Sequence, residues 1–225
     1  MPYALFGCPR SGTNLLSSLL KHTEDSTLLV EPFSMYLPWV LPDDLFRLPG
    51  NERSLRCRCG GCYLCELREG VRSGRIAFKE TSLFEYLDVL AEEFDLRRVV
   101  YLERERERVV DSYAKHELWS RWRLTERKLS AHLSADVHDA DVPSRSRAYS
   151  EVATDLKRFF WRTHAPSFEV LTVDFDDLVA RPREIVREIF AFLGQRPLPT
   201  IDALIERKFR DGGGPHVYAT HHYPL

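Results

Sequence analysis

The sequence predicts an α/β fold of three layers, a mostly parallel central sheet with flanking helices, in a single domain over residues 1–225. Three observations carry that expectation. Short apolar runs recur with helix-length amphipathic stretches between them, the pattern of βαβ units. The first run passes through a glycine-bracketed turn straight into a helix, which makes a site for an anion. A chain of 225 residues is long enough for one core that buries about 70% of the unfolded surface.

Tyr3-Ala4-Leu5-Phe6 is the first apolar run and reads as a buried parallel strand. Gly7-Cys8-Pro9-Arg10-Ser11-Gly12 is turn material, and Thr13-Asn14 opens a helix with Leu15, Leu16, Leu19 and Leu20 on one face. Ser26 to Val30 is the second strand, ending on Glu31-Pro32-Phe33. Leu37 to Ser73, broken by Pro38, Pro42 and Pro49, reads as an irregular insertion over the site, with its Cys-rich part at about 50–73. Arg75 to Lys79, Arg98 to Leu102 and Glu169 to Asp174 are further strands. Helices are expected at Leu83–Phe94, Glu105–Lys115, Tyr149–His164 and Arg183–Leu193, with Ser134 to Ser146 a mobile polar loop. Right-handed crossovers then place ligands off the carboxyl ends of the strands.

Lysine and arginine number 32 against 34 acidic residues, a net charge of −2. No overall basic field points to nucleic acid, so any anion site must be local. No apolar run approaches the roughly 20 residues that span a bilayer. The chain enters a strand with no signal-peptide pattern, so a cytoplasmic location is expected. The five cysteines are then reduced thiols or metal ligands rather than a disulfide framework.

The turn after the first strand bears most directly on function. Backbone N–H groups in the first turn of a helix have no intrahelical partners, and the helix dipole adds partial positive charge. Gly7 and Gly12 have the glycine-x4-glycine spacing of a Walker loop, but Thr13-Asn14 stands where Lys-Ser/Thr would reach terminal phosphates and Mg²⁺. The cation is inside the loop, at Arg10. A phosphate or sulfate group fits this better than a magnesium-bound nucleoside triphosphate; the bland alternative is a tight turn with a surface arginine. Further on, Arg104 follows the fourth strand and Ser112 lies eight residues later on the next helix. That pair can grip one phosphate from two sides, although Glu103 to Arg108 can equally be a charge run on a solvated face.

Pro9-Arg10-Ser11-Gly12-Thr13-Asn14-Leu15-Leu16 resembles the 5′-phosphosulfate loop of sulfotransferases that use 3′-phosphoadenosine 5′-phosphosulfate (PAPS), in particular carbohydrate-type and bacterial members with Arg in the loop. The resemblance implies the fold of P-loop nucleoside triphosphate hydrolases and an enzyme moving a sulfuryl group to a hydroxyl or amine of a small molecule or carbohydrate. It implies donor contacts from Pro9, Arg10, Ser11, Gly12, Thr13 and Asn14, and a 3′-phosphate site at Arg104 and Ser112. The family's Asn-Pro after the arginine is Glu105-Arg106 here. Arg210-Asp211-Gly212-Gly213-Gly214 is similar to the family's Arg-x-Gly loop, which adds Arg210 and Gly212, although a glycine-rich tail reads as well. Val173 to Leu178 with Arg181-Pro182 resembles a structural strand end, where Asp177 caps or braces.

Sulfuryl transfer needs an aligned donor, cations for the developing charge, and a base near the acceptor oxygen. Phenol-type members carry a histidine after the third strand; Lys79-Glu80-Thr81-Ser82 has none. Glu31-Pro32 resembles the Glu-Pro of carbohydrate-type members and makes Glu31 the expected base, with Glu80 second. Arg10 and Lys79 are the expected charge stabilisers, while pairing of Glu31 with Arg10 is the structural alternative. Phe33, Met35, Tyr36, Leu37, Trp39 and Phe46 are expected to wall the acceptor pocket.

Cys57, Cys59, Cys62 and Cys65 fall within nine residues. Structural Zn²⁺, unligated or redox-linked thiols, and an Fe–S cluster are the three readings of that spacing. A non-catalytic nucleotide- or anion-binding protein with a zinc-stapled insertion for partner contact is the competing function.

Overall fold

The computed structural model describes residues 1–33, 49–115, 133, 137 and 140–210. Five strands, β1 (Tyr3–Gly7), β2 (Thr27–Val30), β3 (Ile76–Glu80), β4 (Arg98–Glu103) and β5 (Glu169–Asp174), form one sheet in the order β2-β3-β1-β4-β5. Every pairing is parallel. β1 is central because its residues bury both faces, and the pleat sends them alternately to two cores. Tyr3 and Leu5 join one hydrophobic cluster, Ala4 and Phe6 the other. The same alternation splits Val100 and Leu102 from Val99 and Tyr101 in β4.

Helices cover both faces, completing the three layers. On the Leu5 side lie α1 (Thr13–Leu20), α7 (Phe175–Ala180), α8 (Pro182–Leu193) and α9 (Ile201–Arg210), which contribute Leu16, Leu178, Ile189 and Ile205 among others. On the Phe6 side lie α2 (Pro49–Leu55), α3 (Tyr63–Arg72), α4 (Leu87–Phe94) and α6 (Val142–His164), with Leu67, Leu90 and Trp161 buried. The α6 helix is anchored by Trp161, whose ring stacks on Tyr101 of β4 at 4.1 Å. Between them α5 (Arg106–Lys115) packs along α6 through Val109 and Tyr149, which share a small cluster with Cys8.

Several element boundaries differ from the sequence reading. The stretch Leu37 to Ser73, read as irregular, holds the helices α2 and α3, whose Leu55, Leu64, Leu67 and Val71 are buried. Prolines and cysteines masked that periodicity. The loop expected through Ser146 ends earlier, because Asp141 accepts a hydrogen bond from Ser144 N–H at 2.8 Å and starts α6 at Val142, with Pro143 in the first turn. The helix expected from Leu83 begins as a 3₁₀ turn, Phe84–Tyr86. Asp174, not Asp177, caps α7, accepting from Asp176 and Asp177 N–H at 2.7 and 3.1 Å; Asp177 pairs with Arg181 at 3.4 Å.

In a sheet of this order the chain leaves β1 for the β2 edge and later crosses to β4. The carboxyl end of β1 is therefore the place where a ligand crevice opens in such folds. The turn of interest, residues 8–12, sits there.

Candidate functional site

The loop is built for close approach. Gly12 is the N-cap of α1 at φ 98°, and a Cβ there would lie 2.3 Å from the Phe175 ring. Any side chain would both strain the backbone and collide with α7. A Cβ on Gly7 would meet Thr13 Cγ2 at 2.7 Å and the Leu102 carbonyl at 2.8 Å. No side chain caps α1 and no acidic residue occupies its first turn, so neither offsets the positive end of the helix. Arg10 is held at φ 69°, a region a non-glycine residue occupies only when its surroundings impose it.

Arg10, Ser112 and Arg104, expected from the sequence to act on one ligand, are brought together. Arg10 Nε donates to Ser112 Oγ at 3.0 Å across 102 residues, and Arg104 Nη1 donates to the Arg10 carbonyl at 3.0 Å. The Arg104 guanidinium lies over the Phe175 ring at 4.7 Å. Its buried Nε and the buried Ser11 Oγ have no hydrogen-bond partner among the described residues. Such groups carry a desolvation cost unless something meets them. Burial, then the neighbouring Arg108 and Arg10, depress the Arg104 pKa, with Asp176 opposing. Two neighbouring guanidinium groups thus add to burial in disfavouring its charge. Arg108 is turned outward to Asp176 at 2.8 Å and Glu105 at 3.1 Å, so the alternating charge run is a solvated face only in part.

The other side of the loop carries Glu31 and Lys79. The Lys79 ammonium, 2% exposed, donates to Asn14 Oδ1 at 3.1 Å and pairs closely with Glu31 Oε1. Thr81 Oγ1 donates to the same carboxylate oxygen at 3.0 Å. Burial would raise the Glu31 pKa, but Lys79 and Thr81 outweigh it and hold the carboxyl below its usual range. Lys79 is thus a close ionic partner of Glu31, for which the sequence suggested Arg10 as the structural partner. Glu31 also has a positive φ, 49°, and its side chain remains 38% exposed. Backbone strain at both Arg10 and Glu31 is of the kind that clusters at working sites.

Glu80 is fully buried and accepts from Phe33 N–H at 3.3 Å and Ser82 Oγ at 3.2 Å. Burial, with Glu31 adding to it, pushes its pKa up to about 8. Because the folded chain holds a proton here that the unfolded chain releases near the ordinary value of 4.5, this group's contribution to stability should fall as pH rises from about 4.5 to about 8. Glu80→Gln should flatten that slope, raising the melting temperature more at pH 8 than at pH 5, by about 2–4 °C per kcal/mol regained. Thermal melts of both proteins across this range check it, and equal gains at the two pH values would contradict it.

Phe33, expected in the acceptor wall, belongs to the core: it is 0% exposed, edge-on to Phe78 and Phe94 at 5.2 and 5.3 Å. Met35, Tyr36, Leu37, Trp39 and Phe46, the side chain of Arg210, and Gly212 lie outside the described residues. Two residues that the sequence did not single out also enter the site. Arg158 Nη2 donates to the Arg104 carbonyl at 2.5 Å. Lys157 hydrogen-bonds the Thr81 carbonyl and lies 5.6 Å from the Phe84 ring centre, its pKa depressed by burial despite nearby Cys8, Glu85 and Glu31. Their only sequence signal is an adjacent basic pair on a helix, which many solvated helices share.

A model of the sulfotransferase family matches residues 43–198. The chain belongs to the sulfotransferase family. That match begins after the first loop, so the geometry at Gly7 to Asn14 is a separate observation. Among solved structures, this sulfotransferase is similar to the sulfotransferase domain from the curacin biosynthetic pathway, with 14% identity, a TM-score of 0.55, and coverage of 89% of this chain and 76% of that one. It is similar to a sulfotransferase from Alicyclobacillus acidocaldarius at 17% identity and TM-score 0.53, covering 93% and 91% of the two chains. The sulfotransferase domain from the Synechococcus PCC 7002 olefin synthase gives 16% identity and TM-score 0.53, over 96% and 81%. At these identities the likeness is one of fold. Comparison with curated proteins gives no match. No helix among the described residues is long and apolar enough to cross a membrane.

Proposed function

We propose that this sulfotransferase takes its sulfuryl group from PAPS and passes it to a hydroxyl, or an amine, of a small-molecule or carbohydrate acceptor. The observation that supports PAPS is the convergence of Arg10, Ser112 and Arg104 beside the α1 N-terminus, with Arg104 Nε buried and unpartnered among the described residues. Two anion grips side by side suit a ligand with phosphate at one end and phosphosulfate at the other. The loop, Pro9 to Asn14, would hold the 5′-phosphosulfate by its backbone N–H groups and Arg10; Arg104 and Ser112 would hold the 3′-phosphate. The unpartnered Ser11 Oγ and Arg104 Nε fit such a ligand.

On the acceptor side Glu31 would take the proton of the attacking hydroxyl. Its carboxyl is ionised at neutral pH and part-exposed, where Glu80 is buried and protonated. Lys79, between Glu31 and the start of α1, would balance charge that builds on the transferring group, as Arg10 would from the other side. The whole chain, residues 1–225, would form this one catalytic domain.

Calorimetric titration tests the donor. Adenosine 3′,5′-bisphosphate should bind without Mg²⁺ and more tightly than ADP; preference for ADP with Mg²⁺ would refute the proposal. Sulfated product from a hydroxyl-compound library then separates an enzyme from a binding protein.

A further inference from the structure

Away from the donor site, the segment joining α2 to α3 carries a feature that sulfuryl transfer does not use. Residues 58–61 are exposed, yet Cys59 among them turns in toward the part-buried Cys57, Cys62 and Cys65. The Sγ atoms of Cys57, Cys59, Cys62 and Cys65 all lie within 4.8 Å of each other. Three of the pairs stand at 3.5 Å (Cys62–Cys65), 3.9 Å (Cys57–Cys62) and 3.9 Å (Cys59–Cys65). A Zn–S bond of about 2.3 Å in a tetrahedron requires S···S edges of roughly 3.8 Å. We propose that Cys57, Cys59, Cys62 and Cys65 form a structural tetrathiolate zinc site that staples α2 to α3.

The surroundings suit the net double negative charge of such a centre. Cys65 and Glu66 N–H donate to the Cys62 carbonyl at 3.0 and 3.1 Å, closing the turn that brings the Cys62 and Cys65 sulfurs together. Cys62 is also the N-cap of α3, so the positive end of that helix faces the sulfurs. Arg68, only 5% exposed, donates to the Cys57 carbonyl at 2.5 Å and to the Leu55 carbonyl, which holds the first ligand in place from behind. Arg56, Arg58 and Arg68 meet the buried Glu93 of α4 at 3.1, 2.6 and 3.6 Å, tying the knuckle to the sheet's helical layer. These second contacts orient ligands as in known metal sites.

The alternatives fit less well. An Fe–S cluster interposes several atoms between its ligands and spreads the cysteine sulfurs further apart than one ion does. Four thiolates of this softness favour zinc over hard cations. As a free thiol, the exposed Cys59 would have no burial to gain by turning toward the other three sulfurs. The four-ligand set has no position left open, which is the mark of a structural rather than a catalytic site.

The test uses the full chain, produced with zinc supplied and purified reduced without chelators. Elemental analysis should find one zinc per chain, and exchange with Co²⁺ should give the absorption of a tetrahedral tetrathiolate. Cys59→Ser should lose the metal, whereas Cys8→Ser, whose thiol is buried in a separate cluster, should keep it. If Cys59→Ser fails to fold, the wild-type chain decides: a chelator should lower its melting temperature and added zinc should restore it. Substoichiometric zinc in the reduced, zinc-supplied chain overturns the proposal. So do iron in its place, all four thiols reacting freely with a thiol reagent, or full zinc retention in a folded Cys59→Ser.

Discussion

Arg10→Ala should lower turnover with PAPS by roughly 10²–10³-fold, the loss that follows removal of one preorganised donor from a charge-stabilising site. The effect is expected to be large because Arg10 does two things at once. Its side chain reaches Ser112 at 3.0 Å, and its carbonyl receives Arg104 at 3.0 Å. Alanine removes the cation and also weakens the φ 69° backbone posture that presents the carbonyl to Arg104. Bisphosphate affinity should therefore fall as well, since the second grip loses its support. Arg10→Lys should recover part of the rate but not the link to Ser112, because an ammonium cannot reproduce the guanidinium fork. Steady-state kinetics and titration of the bisphosphate read both effects. Full activity in a folded Arg10→Ala would remove the loop from the donor site.

Glu31→Gln should reduce kcat by about 10²–10⁴-fold while changing donor affinity little. The carboxylate competes with a structural reading, in which it only neutralises Lys79. The pH profile separates the two. Lys79 and Thr81 hold Glu31 below the usual carboxylate range. Its folded pKa is depressed, so the base is ionised at neutral pH and lost only as pH falls through that lowered value. Wild-type kcat should then show an acid limb below the ordinary Glu region, and Glu31→Gln should lack it. A variant that loses melting temperature but keeps kcat and the acid limb would assign Glu31 to bracing alone.

The glycine-bracketed loop was legible in the sequence, since everything about it is local. A strand, a glycine-bracketed turn and a helix start lie within 20 residues, and Gly12 has its positive φ and packed neighbour where the motif requires glycine. The five strands were legible for a similar reason, as each is a short apolar run. The helices in the Cys-rich stretch were not. Leu55, Leu64, Leu67 and Val71 are buried by β3 and α4, and turn-forming neighbours diluted their periodicity.

The α/β fold class, the central apolar strands, the glycine-bracketed loop and the order of Arg10, Glu31, Lys79, Arg104 and Ser112 along the chain can be read from the sequence. Those follow from local propensity and period. It took tertiary packing to bring Arg10 to Ser112, to pair Glu31 with Lys79, and to bury Glu80 and Phe33. The same is true of the four sulfurs lying within 4.8 Å of one another and of Arg158 reaching Arg104. Each of these depends on which strands lie side by side and how far a side chain reaches between elements. Parallel pairing of β1 with both β3 and β4 brings segments a hundred residues apart to one sheet end, and no local pattern encodes that proximity.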